Sequence, residues 1–343
     1  MIHPIPPGTR DVLPDEMREL RRLQWALIET FGRFGYGEVS TPTIEYDEVL
    51  GRGGGRAAGS AYRFFDERGE LLALRSDMTI PIARLVASRY AASEPPYRVC
   101  YVANAYRAVR PQRGQMRQFA QAGVELIGAD APEGTAEVIE VLEAALDAVG
   151  LTRAVIGLGD ADLFRQLLAE LGIEGEPRES LLEKLASHDL VGLEIQLGEV
   201  EGIDDTQAQM LVNLSQLRGG IEVLEEARAV GGEAVARATA RIQGTVDALG
   251  RRGAAERVQI DLGLLRDLGY YSGAILEVYD PALGHVLGGG GRYDGLLKRF
   301  GVDLPAAGFA LYLERVHVAQ AEEEALASEG RGASGEERAG GVQ

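Results

Sequence analysis

Residues 104–121 read NAYRAVRPQRGQMRQFAQ and have the composition of an anion-binding segment. Four arginines lie within or beside the Pro-Gln-Arg-Gly turn of this segment: Arg107, Arg110, Arg113 and Arg117. Arginine binds carboxylates and phosphates through paired hydrogen bonds, so the spacing predicts an acidic ligand. Two positions interrupt the polar series, however, because Val109 and Gln115 offer neither a charge nor a second guanidinium.

The predicted strand at residues 117–127 carries a second candidate site. Side chains alternate between the two faces of a strand, and one face here is apolar: Ala120, Ala122, Val124 and Leu126. The opposite face presents Gln121 and Glu125 on either side of Gly123, which leaves room for a small polar ligand. A solvent-exposed sheet face is the alternative, although Phe119 and Ile127 share this face.

A third group of polar side chains lies in LRDLGYYSGAILEVY. Arg266 is predicted near the end of one strand, and Tyr270 and Tyr271 at the start of the next. Adjacent strand residues point to opposite faces, so this pattern allows only one of the two tyrosines in a given pocket. Packing on the sheet with exposed hydroxyls is the alternative for both.

Four consecutive glycines, residues 288–291, could cradle a phosphate. The lysine-serine pair of a P-loop does not follow them, and the spacing is not that of a dinucleotide-binding fold. We therefore predict tight backbone packing before a helix over Tyr293–Phe300.

The composition of the chain argues against several classes of protein. The chain has 343 residues, 45% of them apolar, and a formal net charge of −18, which argues against a general nucleic-acid-binding surface. Cys100 is the only cysteine, and the four histidines show no ligand spacing: His3, His188, His285 and His317. No metal is expected. No charged-then-apolar leader or long apolar run is present, so we expect a soluble cytoplasmic protein without a membrane partner.

Helices and strands must bring these candidates together. Apolar residues at helical spacing predict a helix over Asp15–Phe34, and a strand, turn and strand lead to another helix from about Thr79. Strands follow at about residues 98–109 and 117–127. Because turns and hairpins join most strands, we predict an α+β fold with a mainly antiparallel sheet.

The rest of the chain divides into segments of different composition. Thr135 and Asp160 are predicted to cap two helices. Residues 173–250 are charged, rich in Ala, Leu and Glu, and predicted to form an inserted helical module. Strand patterns then resume, and residues 321–343 have too few large apolar side chains to pack, so we expect a short helix followed by disorder.

These segments, in this order, resemble the catalytic core of the histidyl-tRNA synthetase family of class II synthetases. The matching text is PPGTRDVLPDE, TPTIEY, LRSDMT, YRAVRPQRGQMRQFAQAGVELIG, LRDLGYYSGAILEVY, GGGGRYDGL and GFALYLERV. The resemblance covers about residues 7–316 apart from the insertion, and implies a core over residues 1–172 and 251–320. It further implies a six- or seven-stranded antiparallel sheet flanked by helices, and a dimer through the region around Thr41 and Pro42.

The sequence departs from that family where the synthetases bind ATP. Val109 replaces an acid and Gln115 an arginine, and each loss removes a charge-assisted hydrogen bond of about 1.5–3 kcal/mol. Tyr312 replaces a glycine and should occupy space that adenosine needs. Arg107 and Arg315 match the arginines of the family's motifs, so the implied nucleotide site is degenerate rather than absent.

The histidine pocket matches the family more closely. By resemblance, Asp77, Thr79 and Gln121 would hold the α-amino group of histidine, with Asp77 in place of the family's Glu. Arg266 and Arg107 would face the carboxylate. The imidazole nitrogens would be held by Glu125 and Tyr271, with Tyr270 beside them. The family reads Arg-Gly-Leu-Asp-Tyr-Tyr where this chain has Arg-Asp-Leu-Gly-Tyr-Tyr, so the loop there is expected to differ.

The synthetases continue with an anticodon-binding domain, for which the acidic, glycine-rich end of this sequence offers no counterpart; we therefore expect no tRNA partner. This combination resembles the regulatory subunits of ATP phosphoribosyltransferase, paralogues of the synthetases. The resemblance implies a non-catalytic chain without a cofactor that joins the short-form catalytic subunit in a hetero-octamer and mediates feedback inhibition by L-histidine. A truncated histidine-activating enzyme is one alternative, and a structural paralogue with an inherited pocket is another.

Overall fold

The structure is a computed structural model that describes residues 5–54, 60–90, 93–108, 116–200, 202–265, 269–281, 283 and 285–339, with side chains as far as residue 326. The first part contains α1 (Pro14–Arg33), β1 (Gly37–Glu38), β2 (Ile44–Tyr46), α2 (Asp47–Gly51), β3 (Arg63–Phe65), β4 (Leu71–Leu74), α3 (Thr79–Arg89), β5 (Tyr97–Tyr106) and β6 (Gln118–Ile127). Helix α1 buries Leu20, Leu23, Leu27 and Phe31, as their spacing predicts.

Helices dominate the middle of the chain. The elements are α4 (Glu133–Ala148), β7 (Val155–Asp160), α5 (Leu163–Glu170), α6 (Gly175–Ala186), α7 (Leu190–Glu199), α8 (Asp205–Gln216), β8 (Arg218–Gly219), α9 (Glu222–Val230) and α10 (Glu233–Arg252). The last part contains β9 (Val258–Asp261), β10 (Ala274–Tyr279), β11 (Val286–Arg292), a 3-10 helix (Leu297–Phe300), β12 (Ala306–Tyr312) and α11 (Leu313–Ala339).

One large sheet organises the molecule, in the order β1-β5-β6-β12-β11-β10-β7-β9-β8. The six strands from β5 to β7 pair antiparallel, which confirms the α+β class and the mainly antiparallel pairing. The sheet is larger and more mixed than the six or seven antiparallel strands expected. Strand β1 adds a parallel edge beside β5, and β9 pairs parallel with β7. Strands β2, β4 and β3 form a separate sheet.

The two faces of the large sheet bury different sets of residues. One face packs against α1, α4 and α11, and its core includes Ala122, Val124 and Leu126 of β6. The other face packs with α3 around a cluster that includes Tyr101 and Tyr293. The second face is the one that carries the polar side chains of β6.

The two predicted helix caps, Thr135 and Asp160, do not occupy the cap positions of α4 and α5. Helix α4 begins at Glu133, directly after Pro132, so Thr135 lies within its first turn. Asp160 ends β7 and pairs with Arg241, whose Nε donates to Asp160 Oδ2 at 2.7 Å. Asp162 occupies the position before α5 instead.

The glycine run is the inner strand β11 rather than a phosphate-binding loop. A β-carbon at Gly288 would lie 2.3 Å from Ala310 O, and one at Gly290 would lie 2.0 Å from Gly308 O. Tight backbone packing is therefore confirmed. The predicted helix over Tyr293–Phe300 is only a turn followed by one 3-10 helix, Leu297–Phe300, which Gly301 ends in the left-handed conformation.

The helical segment predicted at residues 173–250 forms α6 to α10, with the short strand β8 at its centre, which pairs with β9. Leu181 and Leu185 are buried in the same cluster as Leu126, so the segment packs on the main core. Its status as a separate domain stays a prediction.

The end of the chain differs from the short helix and disorder expected there. Helix α11 continues to Ala339. Ala and Glu favour the helix up to Glu329, whereas Gly330, Gly332 and Gly335 in its last part do not. Its first turns pack tightly, because Glu323 is buried and accepts hydrogen bonds from the backbone of Thr152 and Arg153.

In the described residues, no helix has both the length and the apolar composition needed to cross a bilayer.

Candidate functional site

The register of the central strands places several small residues next to one another on one face of the sheet. Across β6 and β12, Glu125 faces Gly308, and Gly123 faces Ala310. Residues directly opposite in an antiparallel pair share a face, so the predicted polar face of β6 continues onto β12. Tyr101 of β5 pairs with Gly123 from the other side. Glycine and alanine therefore leave space above the sheet, bounded by larger polar side chains.

This space is a cavity of about 320 Å³, a volume typical of small-molecule sites. Its lining brings together eight residues predicted from the sequence: Asp77, Thr79, Arg107, Gln121, Glu125, Tyr270, Tyr271 and Tyr312. These residues come from β6, β12 and the start of α3, and from the segments that follow β5 and precede α3 and β10. Residues predicted from separate segments of the sequence therefore lie around one cavity.

Glu125 is a buried carboxyl group held by two hydroxyls. Thr79 Oγ1 donates to Glu125 Oε1 at 2.7 Å, and the Tyr293 hydroxyl donates to Glu125 Oε2. Burial raises the pKa of Glu125 from 4.5 to about 8, although the two hydroxyl donors oppose the shift. Thr79 therefore orients Glu125 in addition to lining the cavity.

Two residues that line the cavity, Asp77 and Gln121, have acceptor atoms without a hydrogen-bond partner. Among the described residues, Asp77 Oδ2, Gln121 Oε1 and the buried Ser76 Oγ make no hydrogen bond, whereas Asp77 Oδ1 accepts one from Ile80 N at 3.1 Å. Asp77 and Gln121 are 6% and 4% exposed, and burial raises the pKa of Asp77. Buried polar atoms are rarely left unpaired, so two unpaired acceptors in the lining of one cavity indicate a ligand with hydrogen-bond donors.

Arg107 supplies the cationic wall. Its Nε donates to Ser76 O at 3.1 Å and its Nη1 to the Tyr312 hydroxyl at 3.5 Å. The guanidinium carbon lies 4.9 Å from the ring centroid of Phe119. Arg107 therefore lines the same cavity as the unpaired acceptors of Asp77 and Gln121. A zwitterionic ligand would pair its anionic group with Arg107 and its cationic group with these acceptors.

Tyr312 closes the end of the cavity next to Phe119. The two rings meet edge to face with centroids 5.4 Å apart, and the guanidinium of Arg315 lies 4.6 Å from the centroid of Tyr312. Arg315 Nη1 donates to Val286 O at 2.5 Å, and Arg315 does not line the cavity. An aromatic side chain of the protein therefore occupies the space between an aromatic ring and an arginine.

The prediction that only one of the paired tyrosines could enter a pocket is wrong. Tyr270 and Tyr271 both line the cavity, because β10 begins only at Ala274 and strand alternation does not apply to them. Their ring centroids are 5.1 Å apart, and Tyr270 also meets Tyr293 at 6.0 Å.

Several lining residues were not singled out from the sequence. Tyr101 could have been found from the predicted β5–β6 hairpin, because it pairs with Gly123. Tyr293 is 168 positions from Glu125, and short-range patterns do not predict such a contact. Glu277 lines the floor, and Glu183 and Ser187 reach it from the helical segment.

Three predicted site residues lie outside the described residues: Val109, Gln115 and Arg266. Arg110 and Arg113 of the arginine-rich turn lie outside as well. Among the residues that are described, no group of three or more histidine, cysteine, aspartate or glutamate side chains could hold a metal ion.

Comparison with known proteins places this geometry in a family. The family model described as histidyl-tRNA synthetase matches residues 8–316. The ATP phosphoribosyltransferase regulatory subunit of Moorella thermoacetica is 42% identical over 320 residues, which are 93% of this chain and 82% of that protein.

Solved structures share the fold. The ATP phosphoribosyltransferase regulatory subunit/histidyl-tRNA synthetase of Bacillus halodurans superposes with a TM-score of 0.84 at 34% identity, covering 93% of this chain and 84% of that one. A histidine–tRNA ligase subunit from Alicyclobacillus acidocaldarius gives 0.81 at 30% identity, covering 94% and 99%. The chain belongs to the histidyl-tRNA synthetase family and, within it, to the family of ATP phosphoribosyltransferase regulatory subunits.

Proposed function

We propose that this chain is the non-catalytic regulatory subunit of an ATP phosphoribosyltransferase and that its cavity binds free L-histidine, the end product of the pathway. The observation that carries the proposal is the pair of unpartnered buried acceptors, Asp77 Oδ2 and Gln121 Oε1, next to the fixed guanidinium of Arg107. A free amino acid offers an ammonium group and a carboxylate in that arrangement.

The cavity accommodates each part of histidine in turn. The ammonium group would donate to Asp77 and Gln121, satisfying two buried acceptors at once. The carboxylate would face Arg107, with Arg266 as a second candidate outside the described residues. The imidazole would reach Glu125, whose two oxygens already have fixed directions, and the tyrosines of the 270–271 segment.

The end of the cavity at Tyr312, which corresponds to the ATP site of the synthetases, supports a binding role without catalysis. Tyr312 fills the gap between Phe119 and Arg315 with a ring of the protein itself, and Arg315 is drawn to a backbone carbonyl. ATP would have to displace this ring. Retained binding of the amino acid and weakened binding of the nucleotide are what a sensor of histidine requires.

We further propose that the chain joins the short-form catalytic subunit in a hetero-octamer and that it self-associates through the region near Thr41 and Pro42. Large apolar side chains are exposed on the small sheet that begins beside this region: Ile44, Tyr46, Phe64, Phe65 and Leu71. Exposed apolar surface of this kind is typical of protein interfaces. No tRNA is required in this assembly.

Feedback inhibition would arise from a coupling free energy between histidine binding and the arrangement of the assembly. If histidine binds better to an inhibited arrangement of the assembly, mass action shifts the population toward that arrangement, typically by about 1–3 kcal/mol. The side chains of this chain need only discriminate between the two arrangements, and the chemistry takes place on the partner.

Co-expression with a short-form catalytic subunit tests the proposal. We expect co-purification, a gain in phosphoribosyltransferase activity, and inhibition by histidine that Glu125→Ala relieves without loss of assembly. Histidine-dependent exchange of pyrophosphate into ATP by the isolated chain would instead establish a histidine-activating enzyme. Co-purification without any response to histidine would leave a structural subunit with an unused pocket.

A further inference from the structure

Arg299, in the 3-10 helix after β11, donates hydrogen bonds to three backbone carbonyls in two separate segments. Its Nη1 lies 2.7 Å from Arg52 O and 2.8 Å from Gly53 O, and its Nη2 lies 3.1 Å from Gly269 O. Arg52 reciprocates, because its Nη1 donates to Arg299 O at 3.2 Å and its guanidinium lies 5.4 Å from the ring centroid of Phe300.

One segment continues into a wall of the cavity, and the other packs against the helix that carries a second wall. Gly269 precedes Tyr270, which is buried and lines the cavity. Gly53 packs so closely on α3 that a β-carbon would lie 2.1 Å from Ile80 Cδ1. Ile80 follows Thr79, the residue that orients Glu125. One guanidinium thus joins the two walls that face the imidazole end of the proposed ligand.

The chemistry of the contact requires arginine. Among the described residues, no carboxylate lies within ion-pair distance of Arg299, so its donors are directed at carbonyls alone. A planar guanidinium with several donors can hold carbonyls on both sides at once, whereas a lysine ammonium is a single point. Arg299 does not line the cavity, so any effect on a ligand must pass through the residues it holds.

We propose that Arg299 is a positioning residue for the cavity, fixing Tyr270 relative to the Thr79–Glu125 pair. The identity of the ligand in this inference rests on the proposed function, but the positioning role does not. Loss of the guanidinium fork should loosen both walls while the core of the protein remains folded, because the three contacts lie at the surface of the 3-10 helix.

Calorimetry with L-histidine provides the first test, using Arg299→Lys and Arg299→Gln in the full chain. We expect roughly 3- to 30-fold weaker binding for both variants, with a thermal unfolding midpoint close to that of the parent in the absence of histidine. Lys298→Gln is the matched control, since Lys298 neighbours Arg299 and forms an ion pair with the exposed Asp303. Parental affinity in both Arg299 variants would overturn the proposal.

Hydrogen exchange without histidine provides the second test and does not depend on the ligand. Amides of Arg52 to Gly54 and of Gly269 to Tyr271 should exchange faster in Arg299→Lys than in the parent or in Lys298→Gln, with unchanged exchange in β6 and β12. Equal exchange in all three proteins would overturn the proposal. Faster local exchange in a chain that shows no histidine binding would keep Arg299 as the positioning residue and reject histidine as the ligand.

Discussion

Gly308 of β12 lies directly opposite Glu125 of β6, and a β-carbon at position 308 would lie 1.9 Å from Glu125 Oε2. The same β-carbon would lie 2.4 Å from the carbonyl oxygen of Val124, which is backbone and cannot rotate away. The buried carboxyl group therefore occupies volume that only glycine leaves free.

Gly308→Ala should consequently damage the cavity more than its size suggests. The added methyl group must displace Glu125 from the hydroxyls of Thr79 and Tyr293, or push β12 away from β6. We expect loss of measurable histidine binding and a decrease of about 1–3 kcal/mol in the free energy of unfolding. Calorimetry and chemical denaturation would measure the two effects.

Gly295→Ala is the control for that substitution, because nothing lies within 4 Å of a β-carbon placed there. It should leave both histidine affinity and stability within experimental error of the parent. Undiminished histidine binding by Gly308→Ala would mean that Glu125 does not contact the ligand.

How far the sequence predicts this site depends on the range of each contact. Strand alternation within β6 correctly places Gln121 and Glu125 on one face around Gly123, since that pattern is local. The same reasoning fails at Tyr270 and Tyr271, because it assumes a strand where the structure has a loop. Contacts that join distant segments, such as Tyr293 to Glu125, depend on sheet order, which single-sequence patterns do not encode.

The fold was predictable to a similar degree. Helix α1 and the β5–β6 pair follow from periodicity, and their predicted bounds differ from the observed ones by a few residues. The edge strands β1 and β8 were missed, because they have only two residues each and carry no detectable pattern. The parallel pairing of β9 with β7 depends on the order of strands in the sheet, which a local pattern does not give.

Stability should depend on pH through Glu125. Burial raises the pKa of its carboxyl group from 4.5 to about 8, so between these values the unfolded chain loses a proton that the folded chain keeps. The free energy of unfolding should therefore fall as pH rises through this window, by at most about 1.4 kcal/mol per unit from this group. Asp77, whose pKa burial also raises, acts in the same direction.

Glu125→Gln removes that ionisation while keeping a side chain of similar shape. Its free energy of unfolding should decline less steeply than that of the parent between pH 5 and 8, and the two curves should run parallel above about pH 8. Urea denaturation at several pH values measures the difference. Parallel curves throughout the range would show that Glu125 ionises normally in the folded protein.

Asp77→Asn should weaken histidine binding without disturbing the fold. The variant removes the negative charge and can no longer offer two acceptor oxygens, so the ligand ammonium loses a charge-assisted hydrogen bond of about 1.5–3 kcal/mol. Histidine affinity measured by calorimetry should drop by about 10- to 100-fold. Asp303→Asn, which alters an exposed ion pair with Lys298, should bind as the parent does.

Tyr312 offers a test of nucleotide exclusion. Tyr312→Gly removes the ring between Phe119 and Arg315, and we expect ATP affinity to rise by about tenfold, equivalent to about 1.4 kcal/mol. Tyr312→Phe keeps the ring and removes only the hydroxyl that accepts from Arg107, so it should bind ATP no better than the parent. Equal ATP affinity in all three proteins would show that the ring does not limit access.

Glu323 anchors α11 near the start of the segment for which the sequence predicts a short helix followed by disorder. Its Oε2 accepts from Thr152 N at 2.9 Å and Thr152 Oγ1 at 2.7 Å, and its Oε1 accepts from Arg153 N at 2.9 Å. Glu323→Ala would remove the carboxylate that accepts these three hydrogen bonds and should lower the free energy of unfolding by about 1.5–3 kcal/mol. Glu322→Ala, at the exposed neighbouring position, should change stability by less than about 0.5 kcal/mol. If denaturation showed the two variants to be equally stable, α11 would not be packed on the core beyond residue 320, and the disordered tail that the sequence predicts would begin there.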